Sequence, residues 1–137
     1  MKSKVAVIPC KGYGEKEVCA AVEKGVALLG GWDRFVKPGE KILLKPNLLN
    51  RAEPDRAVTT HPAVFEAVIE SLDKSGYRYL SYGDSPGHPG SAEKTAEVCG
   101  IKEVADRRGV PMADFSRSRT VEYTRGRTSR KFEICQG

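Results

Sequence analysis

The chain has 137 residues, a length that suits one domain and is enough to bury one core. Hydrophobic residues make up 39% and charged residues 30%, the balance of a soluble globular protein, and no apolar run approaches membrane-spanning length. The net charge of +5 is uneven: residues 107 to 131 hold eight basic side chains against Asp114 and Glu122, so the remainder is close to neutral.

Lys4 to Pro9 reads as a first strand, because Val5, Ala6, Val7 and Ile8 form a continuous apolar run. A strand apolar on both sides suits a parallel sheet covered by helices. The apolar run before Pro9 is only Val5 to Ile8, too short for a signal-peptide core, so the expected location is cytoplasmic. Lys11 to Gly14 is a turn, and Glu15 to Leu29 is a helix with Val18, Val22, Val26 and Leu29 on one stripe. Lys41 to Lys45 is a second strand, stopped by Pro46. A long polar loop follows over residues 48 to 58.

Thr60 then reads as an N-cap for a helix running to about Ser75, with Val64, Phe65, Val68, Ile69 and Leu72 as its apolar face. Tyr77 to Tyr82 is a third strand. Ser91 caps a further helix that pauses at Gly100 and resumes to Gly109. Val110 to Phe115 is a short fourth strand, and Thr120 to Tyr123 and Lys131 to Cys135 read as a hairpin. The fold class is therefore α/β, over residues 1–137 as one domain. The expected form is a mostly parallel sheet with helices on both faces, βαβαβαβ followed by two short strands.

Three blocks carry the candidate site. Ligands of open α/β sheets bind outside the carboxyl ends of the strands. Lys45 and Asn47 end the second strand, where an ammonium and an amide can meet an anion. Thr59-Thr60-His61-Pro62 opens a helix, whose free N–H groups and dipole favour a bound anion. His61 can donate to that anion or relay a proton; plain capping with His61 facing water is the alternative. In Gly83-Asp84-Ser85-Pro86-Gly87, Asp84 ends the third strand and can act as acid, base or metal ligand, or simply bond backbone amides in a turn. Ser85 and His88 are neighbouring polar groups. The expected site thus has Asp84 and His61 as catalytic residues, and Lys45, Asn47, Thr60 and Ser85 as ligand-binding residues, around one crevice.

The missing patterns also restrict function. There is no Gly-x-Gly-x-x-Gly after the first strand and no P-loop, so a conventional dinucleotide or ATP site is unsupported. Cys10, Cys19, Cys99 and Cys135 form no Cys-x-x-Cys pair and read as reduced structural thiols; with two histidines, no metal site is expected.

Taken together, Ile42 to Leu48, Thr59 to Pro62 and Gly83 to Gly87 resemble the family catalogued as domain of unknown function 362, as do Gly100 to Ala105 and Gly109 to Pro111. The resemblance covers most of residues 4 to 115. It implies an α/β domain that, in longer members, is often accompanied by a ferredoxin-like iron–sulfur module. It also implies that this chain corresponds to the N-terminal portion of the family domain. Any iron–sulfur cluster then belongs to a segment absent from this chain, and no residue here inherits cluster binding. Unpaired edges left by an incomplete domain would favour self-association, or docking of the missing C-terminal or ferredoxin-like segment.

Three functions compete on these residues. The first is a redox-linked enzyme acting on a small anionic substrate. The second is a non-catalytic module that binds an anionic ligand or a protein. The third is a nucleic-acid binder, disfavoured because few aromatic residues interleave with the arginines. No membrane association is expected.

Overall fold

A computed structural model describes residues 3–85, 92–115 and 117–135. Over these residues the chain is a mixed α/β structure with two separate two-stranded sheets. Helix α1 spans Glu15–Leu29 and strand β1 spans Ile42–Leu44. Helix α2 covers Pro62–Lys74 and strand β2 covers Leu80–Tyr82. Helices α3 (Ala92–Val98) and α4 (Ile101–Arg108) follow, then strands β3 (Ser118–Glu122) and β4 (Lys131–Cys135).

The first sheet pairs β1 and β2 in parallel, with Ile42 opposite Leu80, Leu43 opposite Ser81 and Leu44 opposite Tyr82. Parallel pairing requires a crossover, and α2 supplies it. The amphipathic face of α2 explains why it settles there. Phe65, Ile69 and Leu72 are buried, and Val64 and Val68 are half-buried. Phe65 and Ile69 join Leu48, Tyr82, Cys99, Ile101 and Val104 in the main core, with the Phe65 and Tyr82 rings 5.5 Å apart. Leu72 packs with Ile42 and Tyr77 in a smaller cluster at the other end of the helix, where the Trp32 indole donates to Ser71 Oγ at 2.9 Å.

α3 and α4 are one helical stretch broken at Gly100. That residue sits at φ 76°, a left-handed conformation that glycine adopts without Cβ strain. The break turns α4 so that Arg107 and Arg108 reach Glu66 of α2, at 2.8 and 2.9 Å. These two arginines therefore belong to a helix–helix contact, with Arg107 still half exposed.

Two expected strands are not formed as read. Residues 4–9 make no strand, and no backbone hydrogen bond joins them to another described residue. Only Ala6 and Ile8 turn inward, towards α1, while Val5 and Val7 are more than four-fifths exposed. The fourth strand shrinks to one parallel bridge, Tyr82 to Met112, closed by Tyr82 N–H to Pro111 O and Ala113 N–H to Tyr82 O. Pro111 has no N–H to extend the ladder. The alternation of four strands over residues 4 to 115 is thus not the observed topology.

The second sheet is the expected hairpin. β3 and β4 pair antiparallel, with Val121 opposite Phe132. Most of its side chains are exposed. Among the described residues no helix is long and apolar enough to cross a membrane.

Candidate functional site

Because β1 and β2 run parallel in register, their carboxyl ends fall side by side, and Gly83 N–H donates to Leu44 O at 3.0 Å. Lys45 and Asp84 leave those two ends. Their side chains meet, Nζ to Oδ1 at 2.7 Å. Asp84 is buried and also accepts from two backbone amides: Leu48 N–H to Oδ2 and Ser85 N–H to Oδ1, each at 2.9 Å. Desolvation pushes its carboxyl up, but the bonds from Lys45, Leu48 and Ser85 outweigh this and hold it below the usual aspartate value. The Lys45 side chain as a whole is more than half exposed, so it reaches the buried carboxylate from the solvent side.

Close packing keeps this edge narrow. A Cβ placed on Gly83 would lie 2.5 Å from the Phe115 ring, so only glycine lets the strand end pass beneath that side chain. Pro46 and Leu48 are buried, which fixes the chain directly after β1.

Asn47 and Thr60 are brought together through the backbone. Asn47 N–H donates to Thr60 Oγ1 at 3.0 Å, and Thr60 N–H returns to Asn47 O at 3.3 Å. This pair closes the loop of residues 48–58 at its base. The Thr60 hydroxyl is consequently not the cap of α2. His61 is the cap: its Nδ1 accepts from Ala63 N–H at 3.2 Å. Pro62 has no N–H, and Val64 N–H bonds His61 O, so the first-turn donors that would favour an anion are satisfied internally.

His61 itself faces elsewhere. Its ring stacks on Tyr13, centroids 3.5 Å apart and planes within 8°. Burial lowers its pKa, and with Nδ1 accepting, the neutral ring carries its proton on Nε2. The Tyr13–His61 stack lies in a cleft of about 870 Å³ between the starts of α1 and α2 and the α3–α4 pair. Pro54, Pro62, Val98 and Val104 give this cleft apolar walls, and Glu15, Glu53, Glu97 and Glu103 line it as well. None of Lys45, Asn47, Asp84 or Ser85 lines it.

The expected site therefore divides. Lys45, Asp84 and Ser85 form one group at the strand ends, Asn47 and Thr60 join through a loop base, and His61 belongs to a separate cleft. His88, with the rest of residues 86–91, lies outside the described residues. Sequence reasoning missed the Leu48 amide and the Tyr13 ring. An amide leaves no signature in residue type. Tyr13, an aromatic residue between two turn glycines, was a signal read only as a turn.

A family model described as domain of unknown function (DUF362) matches residues 42–137. The chain belongs to that family. The match contains both parallel strands, the Lys45–Asp84 pair and the hairpin, and begins after α1 and Tyr13. Over 115 residues the chain is 34% identical to the thylakoid-associated protein sll1697 of Synechocystis, which covers 84% of this chain and 35% of that relative. The chain thus spans about a third of the length of that relative. No solved structure matches it.

The four cysteines lie on different parts of the chain. Cys10 is exposed ahead of α1, and Cys19 donates its S–H to Glu70 at 3.6 Å. Cys99 is fully buried in the main core, and Cys135 ends β4. Burial and the Glu70 carboxylate push the Cys19 thiol up, away from thiolate. Among the described residues, no group of three or more His, Cys, Asp or Glu is placed to hold a metal ion.

Proposed function

We propose that this chain is the substrate-holding α/β part of a redox-linked enzyme that acts on a small anionic compound. The observation that carries the reading is the Lys45–Asp84 pair across the carboxyl ends of two parallel strands, the edge where such sheets bind ligands. In this reading Lys45 presents its ammonium to a carboxylate or phosphate. Asp84 is a positioning residue: three donors already occupy its oxygens and its lowered pKa makes it a weak base. Asn47, beside it, adds an exposed side-chain amide. His61 takes no part at this edge, because its ring is committed to Tyr13 and to the α2 cap. The redox step is carried elsewhere in a longer protein, in keeping with the greater length of the Synechocystis relative.

The alternative is a binding module without catalysis. The saturated Asp84 favours it for these 137 residues taken alone, and both readings share the Lys45 contact.

Calorimetric titration with inorganic phosphate and a set of small carboxylates tests that contact. Wild type should bind at least one of them. Lys45→Ala should bind it roughly tenfold or more weakly, the loss expected for one charge-assisted hydrogen bond. Equal affinity in both proteins removes Lys45 from the site, and no binding by wild type ends the anion reading.

A further inference from the structure

The β3–β4 ribbon sorts its side chains by face. The pairs Arg119–Ile134 and Val121–Phe132 put three apolar residues and an arginine on one side, and the intervening pairs Thr120–Glu133 and Glu122–Lys131 put polar groups on the other. Tyr123 shares the apolar side by its spacing from Val121. Yet Tyr123, Phe132 and Ile134 are about half exposed. A two-stranded ribbon with an apolar face is marginal in water until something covers that face. The ribbon is also strongly basic, with Arg117, Arg119, Arg125, Arg127, Arg130 and Lys131 all exposed.

A complementary surface exists on the same molecule. The cleft beside the Tyr13–His61 stack combines apolar walls with five glutamates and Arg107, and Arg107 is paired with one of them, Glu66. Glu53 and Glu97 form no ion pair among the described residues, and Glu103 has only a 3.7 Å contact with Arg107. Tyr13 is well exposed and offers a ring face to a guanidinium. Apolar walls with an acidic lining match an apolar face with basic flanks.

We propose that the β3–β4 ribbon of one copy of this chain seats in the glutamate-lined cleft of a second copy. The contact is heterologous, since the two surfaces differ, and its strength falls with salt because its charges sit at the rim.

Charge reversal on each side tests it. Sedimentation velocity at about 0.05 M salt should show concentration-dependent association that weakens strongly near 0.5 M, roughly where the screening length drops below 5 Å. Arg125→Glu/Arg127→Glu and Glu53→Lys/Glu97→Lys should each weaken it tenfold or more, because like charges then face each other. Mixing the two variants should restore association, since the reversed ribbon now fits the reversed cleft. All four positions are exposed, and circular dichroism melts should stay close to wild type. A monomer at every concentration overturns the proposal. So does association that ignores either reversal, association that mixing fails to restore, or association that nuclease treatment removes.

Discussion

At Asp84 one buried carboxylate ties three separate pieces of chain to a strand end: the Lys45 side chain, the Leu48 amide and the Ser85 amide. The partners are unequal. Lys45 can return to water when the pair breaks, whereas the amide of the fully buried Leu48 cannot easily do so. Asp84→Ala should therefore cost about 2 kcal/mol, within the range for a buried donor left unpaired. Lys45→Ala should cost less than about 1 kcal/mol, as exposed ion-pair partners do. Urea unfolding of both variants decides this, and equal losses would mean that the ammonium is the main tie. The pH dependence has a definite sign. The folded pKa of Asp84 lies below its ordinary value, so its contribution is present above the unfolded pKa of about 3.9 and is lost as pH falls through the folded value. The stability gap between wild type and Asp84→Asn should be constant near neutrality and close below about pH 4. That Lys45 and Asp84 would lie on one edge was legible in the sequence, since both end apolar runs that read as parallel strands; that they would pair with each other was not part of that reading. That Asp84 would bond backbone amides was one of the two readings open to it; that Leu48 would supply one of them was not legible, because every residue type but proline carries that donor.

Among the elements, helices were the most legible. The apolar stripe predicts Glu15–Leu29 and the structure has the same bounds, because a 3.6-residue period and a double glycine stop are both local signals. The α3–α4 break at Gly100 was read for the same reason. Residues 4–9 mislead because a continuous apolar run specifies burial, not a partner. With no ladder, Val5 and Val7 face solvent. The amides of residues 4–8 should exchange with solvent within seconds by mass-spectrometric hydrogen exchange, while those of Phe65 to Leu72 in α2 remain protected far longer. Protection of the N-terminal segment equal to that of α2 would mean that it pairs as a strand in solution. The hairpin was the converse case: Thr120 to Tyr123 and Lys131 to Cys135 were separable on β-propensity alone, and their pairing required nothing outside themselves.

Across the whole molecule, the buried residues of both clusters run from Ile42 to Val110, and none comes from the ribbon. Cooperative unfolding should follow that division. The main core closes on α2, α3, α4 and Tyr82, so Ile101→Ala, at a fully buried position, should cost about 2–5 kcal/mol. Phe132→Ser/Ile134→Ser, at half-exposed positions of the ribbon, should change the stability of that body by less than about 0.5 kcal/mol. The comparison belongs at high salt, where the proposed contact between copies is screened and cannot add the stability of an assembly to that of one chain. Trypsin offers an independent reading. Arg125, Arg127 and Arg130 are exposed in the connection between β3 and β4, whereas Arg107 and Arg108 are held by Glu66. Cleavage should therefore begin in the ribbon connection and leave the body resistant. If the ribbon substitutions instead cost more than about 1 kcal/mol, or the first cuts fall in α4, the ribbon and the body unfold as one unit. The apolar face of the ribbon would then be covered within a single chain, leaving none of it to bind a second copy.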